Sequence, residues 1–165
     1  MTTVTVATTV AAPVERVFEV FTDLEHNAGR VSNIKEIEMM TTAGFQLGTR
    51  WLETREVLTQ MDSAEMEVTA FERNRTYTIT HHKAGTRIDT AFTFEPIDGG
   101  THVRIEFGLD SHGLPPGLVA PLGWAIAGAV RDVISHDLAD LKKSVETLPA
   151  SSGGTHDLLP STMVY

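Results

Sequence analysis

LVAPLGWAIAGAVRDVISHDLADLKKSVETL, residues 118–148, reads as one amphipathic helix, and six strand-like segments separated by turns come before it. At about 100° per residue, Ile126, Val130, Ile134, Leu141 and Val145 fall along one stripe of that helix. Such a helix must bury its stripe against the sheet that the strands form. The space between them is then filled either by side chains or by a ligand, which makes the chain a container candidate.

Working back from the helix, the two clearest strands lie just upstream. Ile88, Thr90, Phe92 and Phe94 alternate with polar residues, as do Val103, Ile105, Phe107 and Leu109, and Asp98-Gly99-Gly100 between them is a hairpin signal. Thr76 to His82 places Tyr77, Ile79 and His81 on one face, with Lys83-Ala84-Gly85 as the following turn. Glu65 to Glu72 places Met66, Val68 and Ala70 together, and Arg73-Asn74-Arg75 leads out of it. Asp62-Ser63 reads as a turn after the strand Thr49–Leu58, and Gly44 and Gly48 separate that strand from Ile34–Thr41.

Upstream again, Thr2–Val10 is rich in β-branched residues. Pro13 suits a first helical position, and Val14, Val17, Phe18 and Phe21 then recur at helical spacing. Asp23–Arg30 is a short helical turn or a loop. Strands that follow at short spacing imply an antiparallel meander, because parallel pairs need long crossovers. The expected class is α+β in β-α-β6-α order.

Composition sets limits on function. With 165 residues the expectation is one domain over 1–148, followed by a Ser-, Gly-, Thr- and Pro-rich tail over 149–165. Thirteen Lys+Arg against 22 Asp+Glu, a formal charge of −9, argue against nucleic acid as a partner. The absence of Cys excludes disulfides, thiolate metal sites and a cysteine nucleophile. MTTVTVATTV at the start has no cationic segment or leucine-rich run, so it does not read as a signal peptide and the expected location is the cytoplasm. Residues 113–130 are uncharged but rich in Pro and Gly, and too short for stable membrane insertion.

The stretches AAPVERVFEVFTD, GTRWLETREV, FTFEPIDGGTHVRIEF and DLADLKKSVE, spread between Thr2 and Leu148, resemble the polyketide cyclase/dehydrase-like branch of the START-like (SRPBCC) superfamily. The resemblance implies the helix-grip fold, a curved antiparallel sheet wrapped around a long C-terminal helix and enclosing an apolar cavity. It also implies a ligand-binding class that includes lipid carriers, hormone receptors and aromatic cyclases, without fixing a substrate. Members often carry an aromatic residue just before the second strand. Here Ala28-Gly29-Arg30 stands there, so that end of the cavity is expected to be more open or differently lined.

Candidate site residues follow from which side chains face the helix. Asp137 interrupts the apolar stripe, and a carboxylate there must be paired, hydrogen-bonded or protonated. A purely structural pairing with a strand Arg is the more common outcome; the functional alternative is a polar anchor or proton carrier inside the pocket. If Trp51 faces inward, Glu53, Arg55 and Val57 share its face, whereas Leu52 and Leu58 point to the opposite register. We favour Trp51 inward. Tyr77, Thr90, Phe92 and Trp124 complete the apolar and hydroxyl lining. Small residues near Gly123 and Ala127 either press the helix against the sheet or leave ligand volume, with residues 113–117 as the mouth.

His81 and Asp137 are the candidates for acid–base chemistry, although a lone inward His is more often a core residue than a general base. Adjacent His81 and His82 point to opposite faces and cannot share an ion. Asp132, His136 and Asp140 line up on what reads as the solvated helix face, so no metal is expected, and no cofactor motif is present. The expected function is binding of a small apolar or amphipathic molecule such as a lipid, polyketide or aromatic compound. The alternatives are a polyketide cyclase, aromatase or dehydratase using the same cavity, and a protein-interaction domain whose tail docks on a partner or forms a homodimer.

Overall fold

The computed structural model describes residues 2–57, 59–110 and 116–149, and their side chains except those of 2 and 116–126. Seven strands form one antiparallel sheet: β1 (Thr2–Val10), β2 (Ile34–Met39), β3 (Arg50–Val57), β4 (Gln60–Glu72), β5 (Thr76–Lys83), β6 (Thr86–Ile97) and β7 (Gly100–Asp110). Their spatial order is β1-β7-β6-β5-β4-β3-β2, a meander from β2 to β7 with the N-terminal strand added beside β7. Two short helices, α1 (Val14–Thr22) and α2 (Leu24–Arg30), carry the chain from one edge of the sheet to the other. The long helix α3 (Pro116–Thr147) follows β7, so the expected helix-grip arrangement is the one observed.

Local chemistry explains most of the joints. Ile97 pairs with Gly100 across the Asp98-Gly99 turn, where Gly99 has φ 80°. Gly100 itself admits no side chain, because a Cβ there would lie 2.2 Å from the Val10 carbonyl oxygen. Helix α1 begins at Val14, with Pro13 as its N-cap rather than its first helical residue, and buries Val14, Val17, Phe18, Val20 and Phe21.

Two readings of the middle of the chain need correction. The reversal after β3 is not at Asp62-Ser63: Val57 pairs with Gln60, and Asp62 and Ser63 sit within the ladder opposite Arg55 and Thr54. The Thr54 and Ser63 hydroxyls hydrogen-bond at 2.8 Å. Thr59, at φ 67°, makes the turn without the Gly or Asn that normally marks a left-handed position. Farther along β4, a register shift between Val68 and Ala70 leaves Thr69 as an extra residue. Phe71 rather than Ala70 therefore returns to the inner face, and Ala70 is exposed.

The buried core of the described residues lies where α1, α2, the sheet and the C-terminal half of α3 meet. Phe18 is the hub, edge-on to Phe71, Tyr77 and Phe94 with ring centroids 5.3–5.9 Å apart. The loop between β2 and β3 adds Phe45, whose ring lies 4.9 Å from that of Tyr77. Thr49 fixes this loop by donating to the Gly44 carbonyl at 2.7 Å and accepting from the Gln46 amide at 2.9 Å. From α3, Ile134, Leu138, Leu141 and Val145 are buried in the same core.

Polar contacts hold α3 on both flanks. Arg131 donates to the Thr5 carbonyl at 3.1 Å, and Glu146 accepts from the Ala11 amide at 3.1 Å. On the other side Asp140 accepts from the Ser32 amide and hydroxyl at 2.9 and 2.8 Å. Burial raises the Asp140 pKa, but the two Ser32 hydrogen bonds together with the nearby His136 and Lys143 outweigh it and hold the carboxyl below its ordinary value. The Asp132–His136–Asp140 stripe is thus not simply a solvated face.

Candidate functional site

Between the sheet and α3 lies a cavity of about 790 Å³. β3 contributes Trp51, Glu53, Arg55 and Val57; β5 contributes Tyr77, Ile79 and His81; β6 and β7 contribute Thr90, Phe92, Ile105 and Phe107. α3 closes the opposite side with Ala129, Val130, Asp132, Val133, Ile134, Asp137 and Leu141, while Phe21, Leu24, Asn27 and Val31 of the α1–α2 region form one end. Alternation along each strand brings these side chains to one face. The register chosen for β3 is the observed one: Trp51 is 1% exposed and Leu52, on the other face, is 37% exposed.

The polar centre of the cavity is a cluster built on β3 and α3. Glu53 and Arg55, two residues apart, point to the same side, and Arg55 Nε donates to Glu53 Oε1 at 2.5 Å. Arg55 Nη1 donates to Asp137 Oδ2, also at 2.5 Å. The Trp51 indole donates to Glu53 Oε2 at 3.1 Å, and the Asn33 amide reaches Asp137 Oδ1 at 3.5 Å. Asp137 thus does pair with a strand Arg, and the pair lines the cavity.

The electrostatics follow from stoichiometry. Burial works against the charge on Arg55, but Glu53 and Asp137 more than reverse this and hold the guanidinium more firmly protonated than usual. Asp137 has one cation and a second anion as neighbours. Burial pushes its pKa up, and Arg55 only partly offsets the effect. Removing Arg55 would leave two desolvated carboxylates facing one another, a costly arrangement.

His81 also lines the cavity, where desolvation lowers its pKa, helped by Lys83 and Arg55 and opposed by Glu53 and Asp62. Its ring makes no hydrogen bond to a described residue, so it lacks the orienting partner that a general base uses. Tyr77 is 2% exposed, stacks on Phe92 at a centroid distance of 4.5 Å, and has its phenol pKa raised by burial.

The cavity therefore gathers Trp51, Glu53, Arg55, Tyr77, His81, Thr90, Phe92 and Asp137 along its wall. Ala127 is not among the lining residues; Ala129 and Val133 hold the helix side instead. The Trp124 side chain and residues 111–115 lie outside the described residues. Sequence reasoning missed Asn33, Asn27, Phe45 and the rim residues Met61, Asp62 and Lys83. Asn33 and Phe45 sit in connections with no periodicity to expose them. Met61 and Asp62 are hidden because Asp62-Ser63 reads as a turn, and Lys83 because Lys83-Ala84-Gly85 does.

Ser32, His136 and Asp140 also gather, with Ser32 Oγ 3.3 Å from His136 Nδ1. His136 Nδ1 is 3.4 Å from Asp140 Oδ2, so both partners meet the same ring nitrogen. A catalytic relay needs the imidazole to bridge them through opposite nitrogens. Among the described residues no group of three His, Asp or Glu side chains is arranged to hold a metal, and no helix is long and apolar enough to cross a membrane.

Solved structures of similar shape come from bacteria and from a plant. TTHA0849 from Thermus thermophilus superposes with a TM-score of 0.72 at 16% identity, covering 87% of this chain and 97% of that one. A START superfamily protein from Mycobacterium smegmatis gives 0.70 at 15% identity, with coverage of 87% and 97%. Major latex-like protein 151 from Panax ginseng gives 0.69 at 12% identity, with coverage of 86% and 95%. At such identities the likeness speaks to fold alone. No curated protein matches in sequence. The sequence profile described as polyketide cyclase/dehydrase and lipid transport matches residues 1–146, which takes in every cavity-lining residue from Phe21 to Leu141. A sheet gripping a long helix around a hollow, together with that match, makes this chain a member of the polyketide cyclase/dehydrase and lipid transport family, with the START-like helix-grip fold.

Proposed function

We propose that the protein binds one small apolar or amphipathic molecule between the sheet and α3. The observation that carries this reading is the cavity itself. Its volume of about 790 Å³ lies within the roughly 300–1,000 Å³ typical of small-molecule sites, and a mostly apolar wall surrounds a single buried polar cluster. Trp51, Phe92, Ile105 and Phe107 supply apolar contact, and Glu53, Arg55 and Asp137 orient a polar group.

Titration with the neutral dye Nile red tests the reading. Saturable one-to-one binding is expected, with fluorescence enhancement on leaving water. Ala64, opposite Glu53 on β4, lines the cavity, so Ala64→Trp fills it from the wall. The variant is expected to lose the dye while keeping the wild-type circular dichroism spectrum. Unchanged dye binding in a folded Ala64→Trp protein would place the dye elsewhere and defeat the reading.

A further inference from the structure

Resting on that reading, the wall chemistry narrows the class of ligand. Among the charged residues lining the cavity, Arg55 and Lys83 are cationic, while Glu53, Asp62, Asp132 and Asp137 are acidic. Both cations are already engaged: Arg55 with Glu53 and Asp137, and Lys83 with Asp62. His81 is shifted toward its neutral form by burial. A carboxylate or phosphate entering here meets an excess of acids and no unpaired lysine or arginine, in a chain of formal charge −9.

The hydrogen-bond inventory points the same way. Each oxygen of Glu53 and Asp137 already accepts one hydrogen bond, from Arg55 Nε, Trp51, Arg55 Nη1 or Asn33. On the donor side, Arg55 Nη2 and the Tyr77 hydroxyl give no hydrogen bond to any described residue. No fully buried side-chain N or O atom among the described residues lacks a partner. The Tyr77 hydroxyl must therefore touch open space, and for a residue 2% exposed that lines the cavity, the open space is the cavity.

We propose that the cavity selects an uncharged ligand bearing ketone or hydroxyl oxygens, which accept hydrogen bonds from Arg55 Nη2 and the Tyr77 hydroxyl, and disfavours carboxylates and phosphates of the same size. The unused donors set the polar end, and the spent cations set its charge.

Calorimetry at pH 7.5 with two probes of matched shape tests this: 6-acetyl-2-naphthol and 6-hydroxy-2-naphthoate, which differ at one position in a methyl group against a charged oxygen. The ketone is expected to bind on the order of tenfold more tightly. Asp137→Asn removes one negative charge without changing shape, and is expected to narrow the gap between the two probes several-fold by improving the carboxylate. Tyr77→Phe is expected to weaken the ketone by roughly two- to tenfold, the loss of one hydrogen bond.

Equal or tighter binding of the carboxylate to the wild-type protein overturns the inference, as does an Asp137→Asn protein in which the gap is unchanged. If Nile red binds but neither naphthalene does, the inference fails and the container reading stands. If nothing binds, Nile red included, both fall together.

Discussion

The two ends of the interior are bounded by the same sheet and the same helix, yet one is solid and the other hollow. At the solid end α1 inserts Phe18 between sheet and α3, and the rings of Phe71, Tyr77 and Phe94 close around it. At the hollow end, beyond the α1–α2 residues that bound it, no third layer enters among the described residues, and Ile79, Thr90 and Phe107 line the open volume. The distance between sheet and helix is thus set by the end that has an insert, and the other end inherits the gap. α3 reflects this by showing two faces. Leu138 and Val145 pack in the core, Ala129, Val133 and Asp137 look onto the cavity, and Val130, Ile134 and Leu141 border both.

Stability measurements sharpen that contrast, beginning with its largest consequence. Phe18→Ala is expected to destabilise the fold by about 3–5 kcal/mol in urea denaturation, because a well-packed hub cannot collapse around the loss. Ile79→Ala, at the hollow wall, should cost no more than about 2 kcal/mol, since part of that side chain already faces empty space. Similar losses at both positions would erase the distinction between the ends.

The polar cluster comes next. Arg55→Met is expected to cost about 3 kcal/mol, the low end for breaking a buried ion pair, because a quarter of the Arg55 side chain remains exposed. Adding Asp137→Asn to that variant should recover a measurable part of the loss by removing one of the two stranded carboxylates. A double variant no more stable than Arg55→Met would mean that Arg55 acts by packing alone.

The smallest effect is in pH dependence. His81 has a folded-state pKa below its unfolded value, so between those two values the unfolded chain binds more protons. Its contribution therefore makes stability fall as pH drops through about 6.5. His81→Asn is expected to flatten the change in urea midpoint between pH 7.5 and pH 5.5. An unchanged slope would remove His81 from the hollow, desolvated end.

Much of this architecture was legible because it rests on periodicity. The alternation of β6 and β7, the Asp98-Gly99 turn and the apolar stripe of α3 each follow from one repeating constraint. Trp51 facing inward carried Glu53 and Arg55 with it. Asp137 could then be matched to a strand Arg, since a carboxylate on a buried stripe requires a partner. What escaped were features that break a period. The Thr59 turn uses a residue without turn preference, and the bulge at Thr69 shifts Phe71 into the place assigned to Ala70. The cavity-facing stripe of α3 is rotated from the core-facing one and overlaps it at Ile134 and Leu141, so the inward stripe read from the sequence does not bring Ala127 to the cavity. Asn33 has no pattern of its own, because its role comes from the fold bringing a loop beside α3.

The pairing of β1 with β7 also dictates an order of events during synthesis. Val4 meets Phe107 and Val10 meets Thr101, so the earliest made of these seven strands waits unpaired while roughly a hundred further residues are made. An unpaired strand is a template for aggregation. Thr3, Thr5 and Thr9, exposed in the folded sheet, give this strand one polar face. When it docks beside β7, Val10 closes over a hairpin that has room for it only because position 100 carries no side chain.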